Sequence, residues 1–327
     1  MQYIKKEMII MDRNVKNKES EELSSSVVFR YLLFAGSGIG LFALLGVFLG
    51  TFTDLKVSEA LFTPGALFWR IITAVGMFPF LALFVFYLGA ICRQAFLSPL
   101  SGGRKIAAVA VSGLLGLSTA AVGAWSMCRA DSLGTIFPQV IGNLPVVGAF
   151  AVLVMTPLFL AGFFLSEKEF DSVLLKELIC LCLTMTLALA CMESLKIFFC
   201  RPRYRLLLQE YPGITFTPWY QRFAGSKELI AEYNIPSNDF KSFPSGHTIL
   251  AMSLIYALPP LAEVTGHKGN RKVMLGLFAA GAAFALFVAV SRLILGAHFL
   301  SDVSMGACIA VFFGCILFLR EAKHKTV

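Results

Sequence analysis

Residues 273–319 read VMLGLFAAGAAFALFVAVSRLILGAHFLSDVSMGACIAVFFGCILFL. Two apolar runs, at about 273–294 and 299–319, each approach the ~20 residues a helix needs to cross the hydrocarbon of a bilayer. The runs are continuous rather than alternating, so helices are favoured over the strands of a closed barrel. Between and inside them stand Ser291, Arg292, His298 and Asp302, types that apolar spans rarely carry. A carboxylate inside an apolar helix is costly, which makes Asp302 a functional candidate from the outset. His298 and Asp302 are four apart and share one face of a helix, where the carboxylate can hold the imidazole tautomer and stabilise its cation. The plainer reading of the same two residues is a buried ion pair that only fixes packing.

The rest of the chain has the same character. Of 327 residues 57% are hydrophobic and 15% charged, with a mean hydropathy of +0.76. A soluble domain carries about 45–50% apolar and about 25% charged residues. Eight apolar segments are expected, at about 31–52, 71–92, 106–127, 146–165, 178–199, 247–262, 273–294 and 299–319. The fold class is therefore all-α, a polytopic membrane helical bundle of about eight transmembrane helices. The sixth segment is the weakest, because it ends at Pro259-Pro260 and must begin near Ser245. A polar tail at 1–28, two N-terminal helices within 29–105 and a six-helix core at 106–327 complete the expected organisation. Within that core, 200–246 is the one long polar connection, and its Tyr211, Trp219, Tyr220 and Tyr233 argue against disorder.

The net charge of +8 could suggest nucleic acid, but in a membrane protein it reads as positive loops facing the cytoplasm. Lys and Arg gather in the N-terminal tail, near 93–105, near 268–272 and at the C-terminus. The positive-inside rule then puts both termini in the cytoplasm and the connections after the fifth and seventh helices on the outer face. The eight cysteines lie mostly in apolar runs and read as small core hydrophobes; only Cys128 and Cys200, at segment ends, leave a disulfide conceivable. No carboxylate cluster suited to Mg²⁺ or Ca²⁺ and no Cys/His set suited to Zn²⁺ is evident, so neither metal nor cofactor is expected.

Three clusters fall at helix ends on that outer face. Lys196, Arg201 and Arg203 close the fifth segment. By themselves they read as a snorkelling anchor, with Arg201 facing lipid headgroups or a pocket rim. Glu193, three positions before Lys196, is expected to pair with it structurally. Phe243-Pro244-Ser245-Gly246-His247 opens the sixth segment, where unpaired N–H groups of a helix N-terminus make an anion site. Ser291 to Asp302 is the third. Cations plus a helix N-terminus form a phosphate-binding set, and two histidines add a nucleophile and an acid.

The chain resembles the type 2 phosphatidic acid phosphatase superfamily. That family's signature is Lys, six residues, Arg-Pro; then Pro-Ser-Gly-His; then Ser-Arg, five residues, His, three residues, Asp. Lys196 to Arg203, Pro244 to His247 and Ser291 to Asp302 fit it, while Tyr204 replaces the first motif's proline. The resemblance covers residues 106–319 and leaves the role of the first two helices open. It implies that His298 attacks phosphorus, that Asp302 orients it, and that His247 protonates the leaving group and later activates water. It further implies that Lys196, Arg203, Ser245, Gly246 and Arg292 hold the phosphoryl oxygens. The expected protein is thus an integral membrane lipid phosphate or diphosphate phosphohydrolase in the cell membrane. Its partners would be the bilayer and a lipid phosphate, with nucleic acid excluded and the oligomeric state open. Trp219 and Tyr220 are expected either to select the headgroup or only to anchor their loop. Two alternatives stand beside this: a phosphotransferase using the same phosphohistidine, and a transporter or scaffold whose site is not catalytic.

Overall fold

A computed structural model describes the backbone of residues 2–266 and 270–324 and the side chains of residues 28, 30–266 and 270–320. The side chains of the tail at 1–27, and Lys323 and His324, fall outside that description, as do His267, Lys268 and Lys325 altogether. No strand occurs among the described residues. Among the described residues seven helical stretches are long and apolar enough to cross a membrane: Arg30–Leu61, Leu67–Leu97, Gly102–Met127, Leu144–Leu165, Ser172–Leu207, Arg271–Ile294 and Leu300–Arg320. The protein is a multi-pass membrane helical bundle.

The sixth expected segment is present but short, and its surroundings explain why. Helix α10 (Gly246–Ala257) has 12 residues and all of them are buried. At ~1.5 Å per residue it rises about 18 Å, well under the ~30 Å hydrocarbon core. A helix enclosed by protein needs no lipid-matched length. After the Leu258-Pro259 break the chain continues as α11 (Pro260–Val264). Helices α3 (Phe78–Leu97), α7 (Ser172–Phe199), α12 (Arg271–Ile294) and α13 (Leu300–His324) surround α10. On the outside Phe34 and Phe42 are 82% and 80% exposed, and the 31 phenylalanines of the chain suit lipid-facing helices.

Two spans are interrupted where the local sequence demands it. The second divides at Gly76-Met77 into α2 (Leu67–Val75) and α3, just ahead of Pro79, which has no N–H to continue a helix. The fourth carries one π turn at 151–155, between α5 (Leu144–Phe150) and α6 (Thr156–Leu165), ahead of Pro157.

Helix α1 (Gln2–Leu61) lies along α13 at very close range. A Cβ on Gly50 would sit 2.7 Å from the Ser301 nitrogen, so only glycine permits the approach. Between helices α7 and α10 the connection 200–246 is ordered, as its aromatic content suggested. It holds α8 (Tyr204–Leu207), α9 (Ser226–Tyr233) and a 3₁₀ turn at 237–240. Leu206, Ile214, Phe223, Ile235 and Phe240 give it a small core of its own.

Four connections meet at one end of the bundle. Thr63 N–H donates to the Ile294 carbonyl at 2.8 Å, and Arg205 N–H to the Gly296 carbonyl at 3.0 Å. The loop 128–143, after α4 (Gly102–Met127), reaches Arg203 through Asp131. All three sequence clusters lie at this end.

Candidate active site

Helix α7 ends in a left-handed residue, Cys200 (φ 48°), and the chain turns inward so that Arg201 and Arg203 leave the helix into the protein. Lys196 stays in the last turn, its side chain 11% exposed and its Nζ 3.9 Å from Glu193, the pair expected from their spacing. The start of α10 is pressed against it: a Cβ on Gly246 would come within 2.8 Å of Lys196 Nζ. Glycine there lets the lysine ammonium lie directly on the helix N-terminus, where the N–H groups point. Ser245 is the N-cap, its Oγ accepting from Thr248 N–H at 3.5 Å and Thr248 Oγ–H at 2.9 Å. That leaves the Ser245 hydroxyl proton available to another acceptor. His247 is buried in the first turn, with Nε2 unpartnered among the described residues.

His298 is fixed by a tight turn. After α12, Gly296 takes φ +61°, and the N–H groups of Ala297 and His298 both donate to the Arg292 carbonyl. Nδ1 of His298 lies 2.6 Å from the Ser242 carbonyl oxygen. A carbonyl only accepts, so Nδ1 carries the hydrogen and Nε2 carries the lone pair. Asp302 Oδ2 is farther, 3.7 Å from Nδ1. Its carboxylate instead accepts from Ser242 Oγ–H and from Phe299 N–H at 2.8 Å. Asp302 therefore acts on the imidazole mainly by clamping Ser242 and the start of α13. Burial pushes the His298 imidazole down to about 3; Asp302 opposes that shift, and Arg203 and Arg292 reinforce it. The ring is neutral at ordinary pH, with a free electron pair.

Arg201 is not at a rim or against headgroups. It is fully buried, with Nη1 bonded to Asp302 Oδ1 and to Ser301 Oγ at 2.9 Å, and Nη2 to Asp54 Oδ2 at 2.8 Å. Its guanidinium also stacks on Phe299, 4.3 Å from the ring centre. A guanidinium satisfied on both edges by carboxylates is stable in the interior, whereas an anchor would need water or lipid headgroups.

The open question of the first two helices has a structural answer. Asp54 of α1 salt-bridges Arg201, and its Oδ1 accepts from Ser301 N–H at 2.9 Å, capping α13 from outside that helix. Thr73 of α2 hydroxyl-bonds Ser291 at 2.8 Å; Ser291 itself donates to the Val288 carbonyl. Trp219 donates its indole N–H to Thr51 of α1 at 3.0 Å and stacks on Phe243, an anchoring arrangement for loop 200–246. All eight cysteines are free thiols, Cys128 and Cys200 included.

One carboxylate in the site escaped sequence reasoning. Asp131, in loop 128–143, accepts from Arg203 Nη1 at 2.6 Å, Arg205 Nη1 at 3.1 Å and Asn238 Nδ2 at 2.6 Å, and lies 3.6 Å from Arg292 Nη2. Burial favours its neutral form, but Arg203, Arg292 and Arg205 outweigh burial and hold the carboxyl well below the usual range. His247 is near enough to interact with that carboxylate as well. Two of the three cations expected to hold phosphate, Arg203 and Arg292, thus already converge on one anion.

The PAP2 superfamily model matches residues 177–325. This part of the chain is similar to the PAP2 superfamily. No curated protein and no solved structure matched the chain. The PAP2 segment begins inside α7 and contains Lys196, Arg203, Ser245, Gly246, His247, Arg292, His298 and Asp302. Asp54, Thr73 and Asp131 all precede it. With the apolar helices, that similarity fits a membrane phosphatase.

Proposed function

We propose that the chain is an integral membrane phosphohydrolase that removes phosphate from a lipid phosphate or diphosphate through a phosphohistidine on His298. The observation that carries the reading is the pairing of a neutral, Nδ1-anchored His298 with an anion site built by Arg203 and Arg292. Nε2 attacks phosphorus, the P–O bond to the lipid or to the second phosphate breaks, and His247 donates a proton to the departing oxygen. Water then attacks the phosphohistidine, His247 takes its proton, and inorganic phosphate leaves with the imidazole restored. Lys196, Arg203, Arg292, Ser245 and the Gly246 N–H hold the phosphoryl oxygens as charge shifts among them. Ser242, Asp302, Arg201 and Asp54 position His298 without touching the phosphate.

The site lies at one end of the bundle, at helix ends, where lipid phosphates also lie. A lipid can present its phosphate there with its tail still in hydrocarbon, at roughly 0.8 kcal/mol per buried CH₂. The Lys/Arg distribution supports an orientation with that end away from the cytoplasm. The test is phosphate release by purified protein from long-chain and short-chain phosphomonoesters under matched detergent. Higher kcat/KM for the long chain is expected, with activity persisting in EDTA. Equal kcat/KM for a soluble sugar phosphate defeats the lipid assignment.

A further inference from the structure

Asp131 stands where the reading above puts a phosphoryl group, and its chemistry allows a specific comparison. A carboxylate has one negative charge and two acceptor oxygens. A phosphodiester has the same: one charge and two non-bridging oxygens. A phosphomonoester, or the terminal phosphoryl of a diphosphate, has three non-bridging oxygens and carries up to two charges near neutral pH.

The carboxylate also leaves donors unused. Arg203 Nε and Arg292 Nε are buried without a hydrogen-bond partner among the described residues, Arg292 Nη2 meets Asp131 only as an ion pair at 3.6 Å, and the unpartnered His247 Nε2 is a donor whenever it carries the ring's hydrogen. A third oxygen and a second charge have donors waiting for them; a second monoanion with two oxygens gains nothing over the one already present. The resident anion is moreover tethered. Loop 128–143 is held at Thr135, whose carbonyl accepts from Arg70 of α2, so Asp131 has the high effective concentration of an intramolecular ligand. A rival of equal charge loses to it even in a bilayer rich in diester headgroups.

We propose that Asp131 is a specificity-determining residue, an internal carboxylate that occupies the anion subsite at rest and yields to phosphomonoester or terminal phosphoryl groups but not to phosphodiesters. This deepens the phosphohydrolase reading and rests on it for the site's purpose. Displacement needs no covalent step: Asp131 rotates off Arg203 and Arg292, and Asn238 and Arg205 remain within its reach.

The experiment measures equilibrium binding of inorganic phosphate and of dimethyl phosphate to the purified full chain in detergent, for wild type and Asp131→Asn. Wild type is expected to bind phosphate at least ~100-fold tighter than dimethyl phosphate. In Asp131→Asn both anions should bind more tightly and the gap should shrink below ~10-fold, with Asp131→Glu restoring it. A wild-type gap under ~10-fold overturns the proposal without any variant. So does weaker phosphate binding in Asp131→Asn, which would make the carboxylate an organiser of the arginines rather than their rival. Because the readout is binding, a protein that binds phosphate selectively yet releases none from lipid monoesters would sink the phosphohydrolase reading and leave this result standing.

Discussion

At the residue scale, the buried Asp54–Arg201–Asp302 network makes Arg201 a side chain whose loss should lower Tm, and it belongs to the supports of the site that local sequence does not show. Lys196, Arg203, Ser245, Gly246, His247, Arg292, His298 and Asp302 stand out because polar types at fixed spacing interrupt apolar runs. Arg201 was misread because it sits beside Arg203 in a cationic cluster, and local sequence does not reveal which guanidinium turns inward. Its partners Asp54 and Asp302 lie 147 and 101 positions away. Asp131 was missed for the same reason, being 72 positions from Arg203. Asp54 carried a usable signal, an acidic residue near the end of an apolar run. The Arg201 network has a consequence for stability. Arg201→Ala leaves two buried carboxylates without their counter-charge, a loss of about 3–5 kcal/mol by the usual cost of breaking a buried pair. Thermal unfolding in detergent should show a large fall in Tm, and Asp54→Asn a smaller one; an unchanged Tm in Arg201→Ala contradicts the account.

At the element scale, apolar run length located the seven membrane-length helical stretches and the short α10, since a continuous apolar stretch needs a helix to satisfy its backbone in lipid, but not the short helices α8 and α9 of the polar connection. What run length could not show was which helices face lipid and which are enclosed. Helix α10 is short because it is buried all round, and Pro79 and Pro157 break spans that hydropathy reads as continuous. Nor does hydropathy show that α1, outside the PAP2 segment, packs on α13 closely enough for Asp54 to cap it. That contact predicts a distant effect on catalysis. Gly50→Leu drives a side chain into the Ser301 backbone and must lift α1 off the start of α13. A displacement near 1 Å can cost about 10²-fold in rate, so kcat should fall at least ~10-fold with phosphate binding by Lys196 and Arg203 largely kept. Full kcat in Gly50→Leu would mean that α1 is dispensable to the site.

At the scale of the whole molecule, the orientation of the bundle decides from which side of the membrane the site is reached. The positive-inside rule favours the outer face for loop 200–246, and Lys227 in that loop is exposed. Lys227→Cys in a background without other reactive thiols should therefore label with an impermeant reagent in intact cells; labelling only after lysis inverts the topology. The central claim is that His298 Nε2 carries the phosphoryl group in a membrane-embedded PAP2 site. Its most direct measurement is rapid quenching of the purified protein with a phosphate-labelled lipid monoester, followed by assay of protein-bound label in wild type, His247→Ala and His298→Ala. The account predicts an alkali-stable, acid-labile label in wild type, with the label on His298 and absent from His298→Ala. It also predicts more label in His247→Ala when the leaving group is good, because hydrolysis of the intermediate is slowed. Label that persists in His298→Ala, or rapid turnover by that variant, would contradict it.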